Sequence, residues 1–138
     1  MCMIEDVDKL LVLSDVTRKA AKSHRCCECG RGIERGEQYR YETGVSDGRV
    51  VTHKTCAHCL IVREWLSGEC GGWVYTMTEE DLVEHCNGYG HPMSVYRLAV
   101  GQRRRWRTRK GALMPLPTCP PTTHERAVRH GANMPLAA

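Results

Sequence analysis

The sequence contains no phenylalanine, and aromatic residues make up only 6% of its 138 residues. Apolar residues occur in runs of a few residues at most, whereas a helix that spans a bilayer needs about 20 in succession. The shortness of the apolar runs excludes a membrane-spanning helix, and the scarcity of aromatic residues predicts a small apolar core. Such a core leaves little net stability once the conformational entropy of the chain is subtracted, so we expect a bound metal ion to contribute to folding.

Cysteine, by contrast, is abundant, with nine in the chain. The first ten residues, MCMIEDVDKL, lack the basic region and the apolar stretch of a secretion signal. We therefore predict a cytoplasmic protein. Thiols stay reduced in that compartment, and paired Cys-x-x-Cys motifs then favour metal binding over disulfides.

Two Cys-x-x-Cys pairs flank a segment that reads as a β-hairpin around an Asp-Gly turn, and the second pair begins a segment of helical periodicity. Two such pairs can supply the four tetrahedral ligands of zinc, and the free N–H groups at a helix start favour thiolates. The sequence predicts one structural Zn²⁺ bound by Cys26, Cys29, Cys56 and Cys59. His53, three residues before the second pair, is an alternative ligand.

The order of knuckle, hairpin and helix is that of a treble-clef zinc domain, so we predict an α+β fold. Gly68 is expected to end the helix that carries the second pair. The expected divisions are an N-terminal arm (residues 1–23), the zinc domain (24–67), two further helices of which the second is basic (68–110), and a Pro-rich, mobile tail (111–138). Residues 123–130 are suited to a short helix inside that tail.

Four further side chains that can bind metal follow the zinc domain. They are Cys70, His85, Cys86 and His91. Their spacing matches no regular site, and Cys86 is equally suited to pack as a small apolar residue. The sequence therefore neither predicts nor excludes a second metal site.

The run HRCCECGRGIERGEQYRYETGVSDGRVVTHKTCAHC resembles small zinc proteins encoded by tailed bacteriophages and prophages. The shared features are Cys-x-x-Cys-Gly-Arg, Gly-Glu-x-Tyr, an Asp-Gly turn and Thr-Cys-x-x-Cys, and the later VGQRRRWRTRKGALMPLP resembles the end of such proteins. The resemblance covers about residues 18–117 and implies a phage or prophage protein in the bacterial host cytoplasm, with no assigned activity. The chain resembles LIM and PARP-type zinc fingers more weakly, because Val62 stands where the second site of a LIM domain needs a cysteine.

Charge is distributed unevenly along the chain. Residues 1–88 carry 11 basic and 15 acidic side chains, whereas residues 89–138 carry 9 basic and one acidic. The cations are densest at the end of a helix predicted over residues 92–110, in what we call the basic segment (residues 103–110). Its binding residues are predicted to be Arg103, Arg104, Arg105, Trp106, Arg107, Arg109 and Lys110.

Two functions fit the basic segment. In the first, the protein binds nucleic acid or a nucleic-acid-handling complex, with the cations neutralising phosphates and Trp106 stacking on a base. In the second, a phage-encoded inhibitor or adaptor binds a host protein or a host-defence effector, for example of the CRISPR type, without touching nucleic acid. The basic segment could also be purely structural, with arginines that complement the dipole at the end of a helix and Trp106 folded back onto the core. Neither function requires a membrane or a small-molecule substrate.

A catalytic function is not indicated by the residues. A zinc ion with four thiolate ligands has no open position for water and cannot activate a nucleophile. An HNH-like nuclease could use His53, but no Asp-His pair precedes it, and the only asparagines are Asn87 and Asn133. We therefore expect a protein that is not an enzyme.

Overall fold

The computed structural model describes residues 11–88 and 90–132. Within these ranges the chain forms an α+β fold, which confirms the predicted class. The strands are β1 (Leu11–Lys19), β2 (His24–Arg25), β3 (Gly32–Ile33), β4 (Gln38–Ser46) and β5 (Arg49–Cys56). The helices are α1 (Ala57–Cys70), α2 (Thr78–Asn87), α3 (Met93–Arg103) and α4 (Thr123–Ala132). None of these helices combines the length and the apolar character that crossing a bilayer requires.

The larger sheet is antiparallel, with strand order β1-β4-β5. Asp47 and Gly48 join β4 to β5, and both have positive φ (51° and 74°), as a type I′ hairpin turn requires. The predicted hairpin is therefore present. β1 is an edge strand and pairs with β4, so residues 11–19 of the predicted N-terminal arm belong to this sheet. Residues 1–10 of that arm lie outside the described residues.

The first cysteine pair lies in the loop between β2 and β3, which forms the zinc knuckle. Gly30 has φ 78°, a left-handed conformation that glycine adopts without steric cost, and its N–H donates to the carbonyl of Cys26 at 3.0 Å. The Cys27 N–H donates to the carbonyl of Lys54 at 2.8 Å. The knuckle is thereby joined to β5, the strand that leads to the second cysteine pair.

Helix α1 is longer than predicted. It continues through Gly68 and ends before Gly71, which has φ 80°. A Cβ atom at Gly68 would lie 2.8 Å from Cγ2 of Thr122. Gly68 therefore serves to let the C-terminal segment approach α1 and does not end the helix.

The core lies between the sheet, the knuckle and the first three helices. Its largest fully buried apolar side chains are Ile33, Val62, Trp65, Leu66, Leu82, Val95 and Leu98. Helices α2 and α3 are the two further helices that the sequence predicts. The core contains few large side chains, in line with the scarcity of aromatic residues.

After Arg103 the basic segment is not helical, because the helix predicted over residues 92–110 ends there as α3. The Arg105 N–H donates to the Gln102 carbonyl at 3.0 Å, and the Trp106 N–H donates to the Gly101 carbonyl at 2.8 Å. This pair of bonds is a Schellman motif. Arg105 has φ 53° at the position where glycine usually stands, so no glycine marks this helix end in the sequence.

The tail predicted as mobile over residues 111–138 packs on the protein where it is described. Thr122 is buried, and the backbone N–H of Thr123 donates to the Glu69 carboxylate at 2.8 Å. The short helix expected inside the tail is α4. Residues 133–138 lie outside the described residues.

Candidate metal centre

The two cysteine pairs converge on one point. The sulfurs of Cys26, Cys29, Cys56 and Cys59 lie within 4.8 Å of one another, with those of Cys29 and Cys56 3.9 Å apart. Tetrahedral zinc with Zn–S bonds of about 2.3 Å places its sulfurs about 3.8 Å apart. All four cysteines are buried and none is in a disulfide. They form a structural zinc site, which confirms the predicted cofactor.

The electrostatics of the four thiols also fit a bound cation. Hydrogen bonds with the other cysteines lower the pKa of Cys26, whereas the same contacts together with burial raise the pKa of Cys59. Four adjacent buried thiolates therefore cannot form together unless a cation neutralises them. The all-sulfur donor set suits zinc and leaves no ligand position for water.

Backbone N–H groups donate hydrogen bonds to both sulfurs of the first cysteine pair. The Arg31 N–H donates to Cys29 Sγ, and the Cys56 N–H donates to Cys26 Sγ, both at 3.4 Å. The knuckle turn and the end of β5 each supply one of these donors. Both contacts favour the thiolate form that zinc binds.

Two side chains from the end of α3 donate to Cys59 Sγ. They are Trp106, through Nε1 at 3.4 Å, and Gln102, through Nε2 at 3.7 Å. The Trp106 side chain is only 2% exposed, so its indole cannot stack on a base. This corrects the stacking role that the sequence predicts for Trp106. Its role is to fix the start of the basic segment to the zinc centre.

The Trp106 indole fits only because residue 101 has no side chain. A Cβ atom at Gly101 would lie 2.3 Å from the indole ring. Cβ atoms essentially never approach another atom so closely, and the ring is buried and cannot move away freely. Gly101 is therefore required for the contact between Trp106 and Cys59.

Arg63 of α1 is the centre of a buried polar network. Its guanidinium contacts the carboxylates of Glu28 at 3.0 Å and Glu42 at 2.7 Å. Burial alone would lower the pKa of Arg63, but the two carboxylates raise it. The guanidinium also lies 3.9 Å from the centre of the Trp73 ring, and the Tyr75 hydroxyl donates to Glu42.

This network is connected to the zinc ligands. Glu28 lies inside the knuckle, and its carboxylate accepts a hydrogen bond from the Thr78 hydroxyl at 2.7 Å. That hydroxyl accepts one from Gln102 at 3.0 Å, and Gln102 in turn contacts Cys59. The knuckle, α1, α2 and α3 are therefore held together by polar contacts as well as by apolar packing.

His53 takes no part in the four-cysteine cluster. Its ring stacks on Tyr75 with 4.2 Å between ring centroids, and burial, with repulsion from Arg63, lowers its pKa. The structure corrects the alternative ligand set that includes His53. The histidine packs beside the Arg63 network in its neutral form.

His58 connects α1 to the C-terminal segment. Its Nδ1 accepts from Arg31 at 3.3 Å, and its Nε2 donates to the Met114 carbonyl at 2.7 Å. Arg31 is fixed in turn by two hydrogen bonds to Glu37, at 3.1 Å and 3.2 Å. These contacts hold the chain that follows the basic segment against the zinc centre.

The second metal site left open by the sequence is only partly assembled. Cys70, Asp81 and His85 lie within 4.8 Å of one another, and the ring of His91 lies 5.4 Å from that of His85. Cys86 is not part of this group. Three ligands are fewer than the four of a structural zinc site, so we assign no metal to the group.

The cations of the basic segment project into solvent. Arg103, Arg104, Arg105, Arg109 and Lys110 are exposed and Arg107 is half-buried. Among the described residues, no salt bridge includes any of these side chains. The segment forms a closed loop, since the Thr108 N–H donates to the Ala112 carbonyl at 2.8 Å and the Met114 N–H donates to the Trp106 carbonyl at 2.7 Å.

Comparison of the chain with models of protein families, with curated proteins and with solved structures gives no match. The description of the site therefore depends on its own chemistry. Sequence patterns identify the four cysteines and the basic segment. They do not identify Gln102, Arg63 or Glu28, whose partners lie 21 to 50 residues away in the chain.

Proposed function

We propose that this protein is a non-enzymatic, zinc-stabilised nucleic-acid-binding protein of a phage or prophage, acting in the bacterial host cytoplasm. In this proposal the basic segment binds the phosphates of nucleic acid, and zinc has a structural role. The resemblance of residues 18–117 to tailed-phage proteins supports the origin. The observation that carries the binding function is a loop with six cations and no salt bridge among the described residues.

The surroundings of the loop support an anionic ligand. Residues 89–124 contain no aspartate or glutamate. Exposed cations that have no salt-bridge partner retain a positive field that attracts a polyanion, and binding then releases the counterions of that polyanion. The contact between Trp106 and Cys59 gives this field a fixed position, because it joins the loop to the buried zinc centre.

The position of Trp106 also limits the mode of binding. With its indole buried, the basic segment offers no aromatic surface on which a base could stack. Binding through phosphates alone carries little sequence information. We therefore expect similar affinity for duplexes of different sequence and a strong dependence on salt.

The experiment is a gel-shift titration of duplex DNA and duplex RNA over a range of salt concentrations. The triple variant Arg103→Ala, Arg104→Ala, Arg105→Ala should bind weakly. It should also lower the slope of log affinity against log salt by up to about 2.7, because each phosphate that is no longer neutralised accounts for about 0.9. A control triple variant removes the same charge elsewhere, at Arg35, Arg49 and Arg129. These three side chains are exposed and should matter little.

Two results would contradict the proposal. If the unaltered protein shifts neither DNA nor RNA at low salt, the proposal is wrong. An equal loss of affinity in the two triple variants would also contradict it, because binding would then depend on net charge and not on the basic segment. Absence of any shift would favour the second function that the sequence permits, an inhibitor or adaptor that binds only a host protein.

A further inference from the structure

An apolar groove runs along the exposed side of α3, next to the basic segment but separate from it. It is formed by one face of the helix and by the chain that returns from the basic segment. Its lining residues are Met93, Tyr96, Arg97, Val100, Gly101 and Met114. Because residues three and four positions apart share a helix face, Met93, Arg97 and Val100 form one continuous stripe.

The apolar members of this stripe are unusually exposed. Met93 is 65% exposed and Val100 is 52% exposed. Leu113 and Leu116, which flank Met114 in the chain, are exposed as well. Contiguous exposed apolar surface rimmed by polar side chains is typical of protein interaction sites, and methionines adapt their shape to a partner.

The groove is poorly suited to a small molecule. Its volume is about 310 Å³, at the low end of the range for small-molecule sites, and Arg97 supplies its only charged side chain. A small-molecule site needs several convergent polar groups for orientation. A groove of this size and composition accommodates one or two apolar side chains of a larger partner.

The charge around the groove specifies the chemistry of that partner. Arg97 lies within the stripe, and Arg103 and Arg104 follow Val100 by three and four residues, so cations lie both within the stripe and at its C-terminal end. None of the residues that line the groove is acidic. We infer that the groove binds an acidic amphipathic helix of a protein partner, with apolar side chains against Met93 and Val100 and a carboxylate facing Arg97.

This surface extends the proposed function without depending on it. A protein partner would bind through Met93 and Val100, which offer nothing to a phosphate. Nucleic acid would bind through the cations of the basic segment. The protein would then connect an acidic protein segment to nucleic acid at adjacent surfaces.

The test uses the full chain and fluorescently labelled helical peptides of about 18 residues, long enough to retain helix in water. One peptide carries leucines at i, i+3, i+4 and i+7 with glutamates on the flanks. A second has the same leucines with lysines in place of glutamates, and a third keeps the glutamates but replaces leucine with serine. Binding is measured by fluorescence anisotropy against the unaltered protein, Val100→Glu and the control Val50→Glu, which changes an exposed valine on β5.

The inference predicts saturable binding of the first peptide only. Val100→Glu should weaken it by roughly tenfold or more through like-charge repulsion, whereas Val50→Glu should not. No saturable binding, equal binding of the lysine peptide, or unchanged affinity in Val100→Glu would each overturn the inference. A self-associating protein that Val100→Glu converts to a monomer would also overturn it, since a second copy would then occupy the groove. Zinc content and circular dichroism of each variant establish that it is folded.

Discussion

The zinc centre and the basic segment lie side by side and are joined through Trp106, but their charged groups differ in burial and in pairing. Around the zinc centre, buried thiols receive hydrogen bonds and the buried guanidinium of Arg63 has two carboxylate partners. In the basic segment, cations are exposed and no described salt bridge includes them. The comparison teaches that the charges in the interior have partners and hold this fold together, whereas the charges without partners lie at the surface, where the proposed ligand would bind.

The largest expected effect is loss of a zinc ligand. Cys29→Ala should unfold the part of the chain around the site, because zinc binding to small modules contributes roughly 10 kcal/mol or more to folding. Far-UV circular dichroism and metal analysis measure this. The matched control is Cys119→Ala, which removes a thiol outside the cluster and should keep both the zinc and the fold. If Cys29→Ala remained folded, zinc binding would not be what holds the fold together around the site.

The next largest effect concerns the buried ion pairs. Glu28→Gln should lower the free energy of unfolding by about 3–5 kcal/mol, because it leaves Arg63 with an incomplete set of charged partners in the interior. The comparison variant is Asp15→Asn, which breaks the exposed pair with Arg40 and should cost about 1 kcal/mol or less. Denaturant titration gives both values. Equal effects would contradict the role assigned to the buried network.

Gly101→Ala tests the link between the two regions. In an ordinary helix this substitution stabilises by about 1 kcal/mol, but here the new methyl group meets the Trp106 ring and should destabilise by about 1–3 kcal/mol. Displacement of the indole should also change tryptophan fluorescence and weaken zinc retention against a chelator. The neighbouring change Val100→Ala alters an exposed side chain and serves as the control. A stabilised Gly101→Ala protein would show that Trp106 does not anchor the segment.

The smallest effect is one of pH. Burial lowers the pKa of His53 in the folded state, so the unfolded chain takes up a proton first as the pH falls through about 6.5. His53 therefore contributes to a loss of stability between pH 7 and the lower folded-state pKa. His53→Phe should keep the stack on Tyr75 and remove this contribution. Because zinc release affects both proteins alike, thermal unfolding of the two across this range isolates the histidine, and identical pH dependence would refute the assignment.

Local signals allowed much of the fold to be predicted. The two Cys-x-x-Cys pairs, the Asp47-Gly48 turn and the helical periodicity after Cys56 each depend on residues close together in the chain. Such short-range patterns determine the knuckle, the hairpin and α1. The α+β class and the bound zinc follow from them without knowledge of distant contacts.

The remaining features depend on contacts between distant residues. Trp106 lies 47 residues from the cysteine that it contacts, and Thr123 lies 54 residues from Glu69. An arginine-rich run has good helix propensity. Nothing local therefore indicates that α3 ends at Arg103, or that Arg105 adopts a left-handed conformation just after it. The same lack of a local signal explains why the contact between the Trp106 indole and Cys59 could not be predicted from the sequence.

The most direct test of this account is the metal content of the pure, reduced protein, measured by elemental analysis together with its thermal unfolding. The account predicts one equivalent of zinc per chain, and a cooperative unfolding transition that disappears when a chelator removes the metal. A protein that contains far less than one equivalent and still unfolds cooperatively would contradict it.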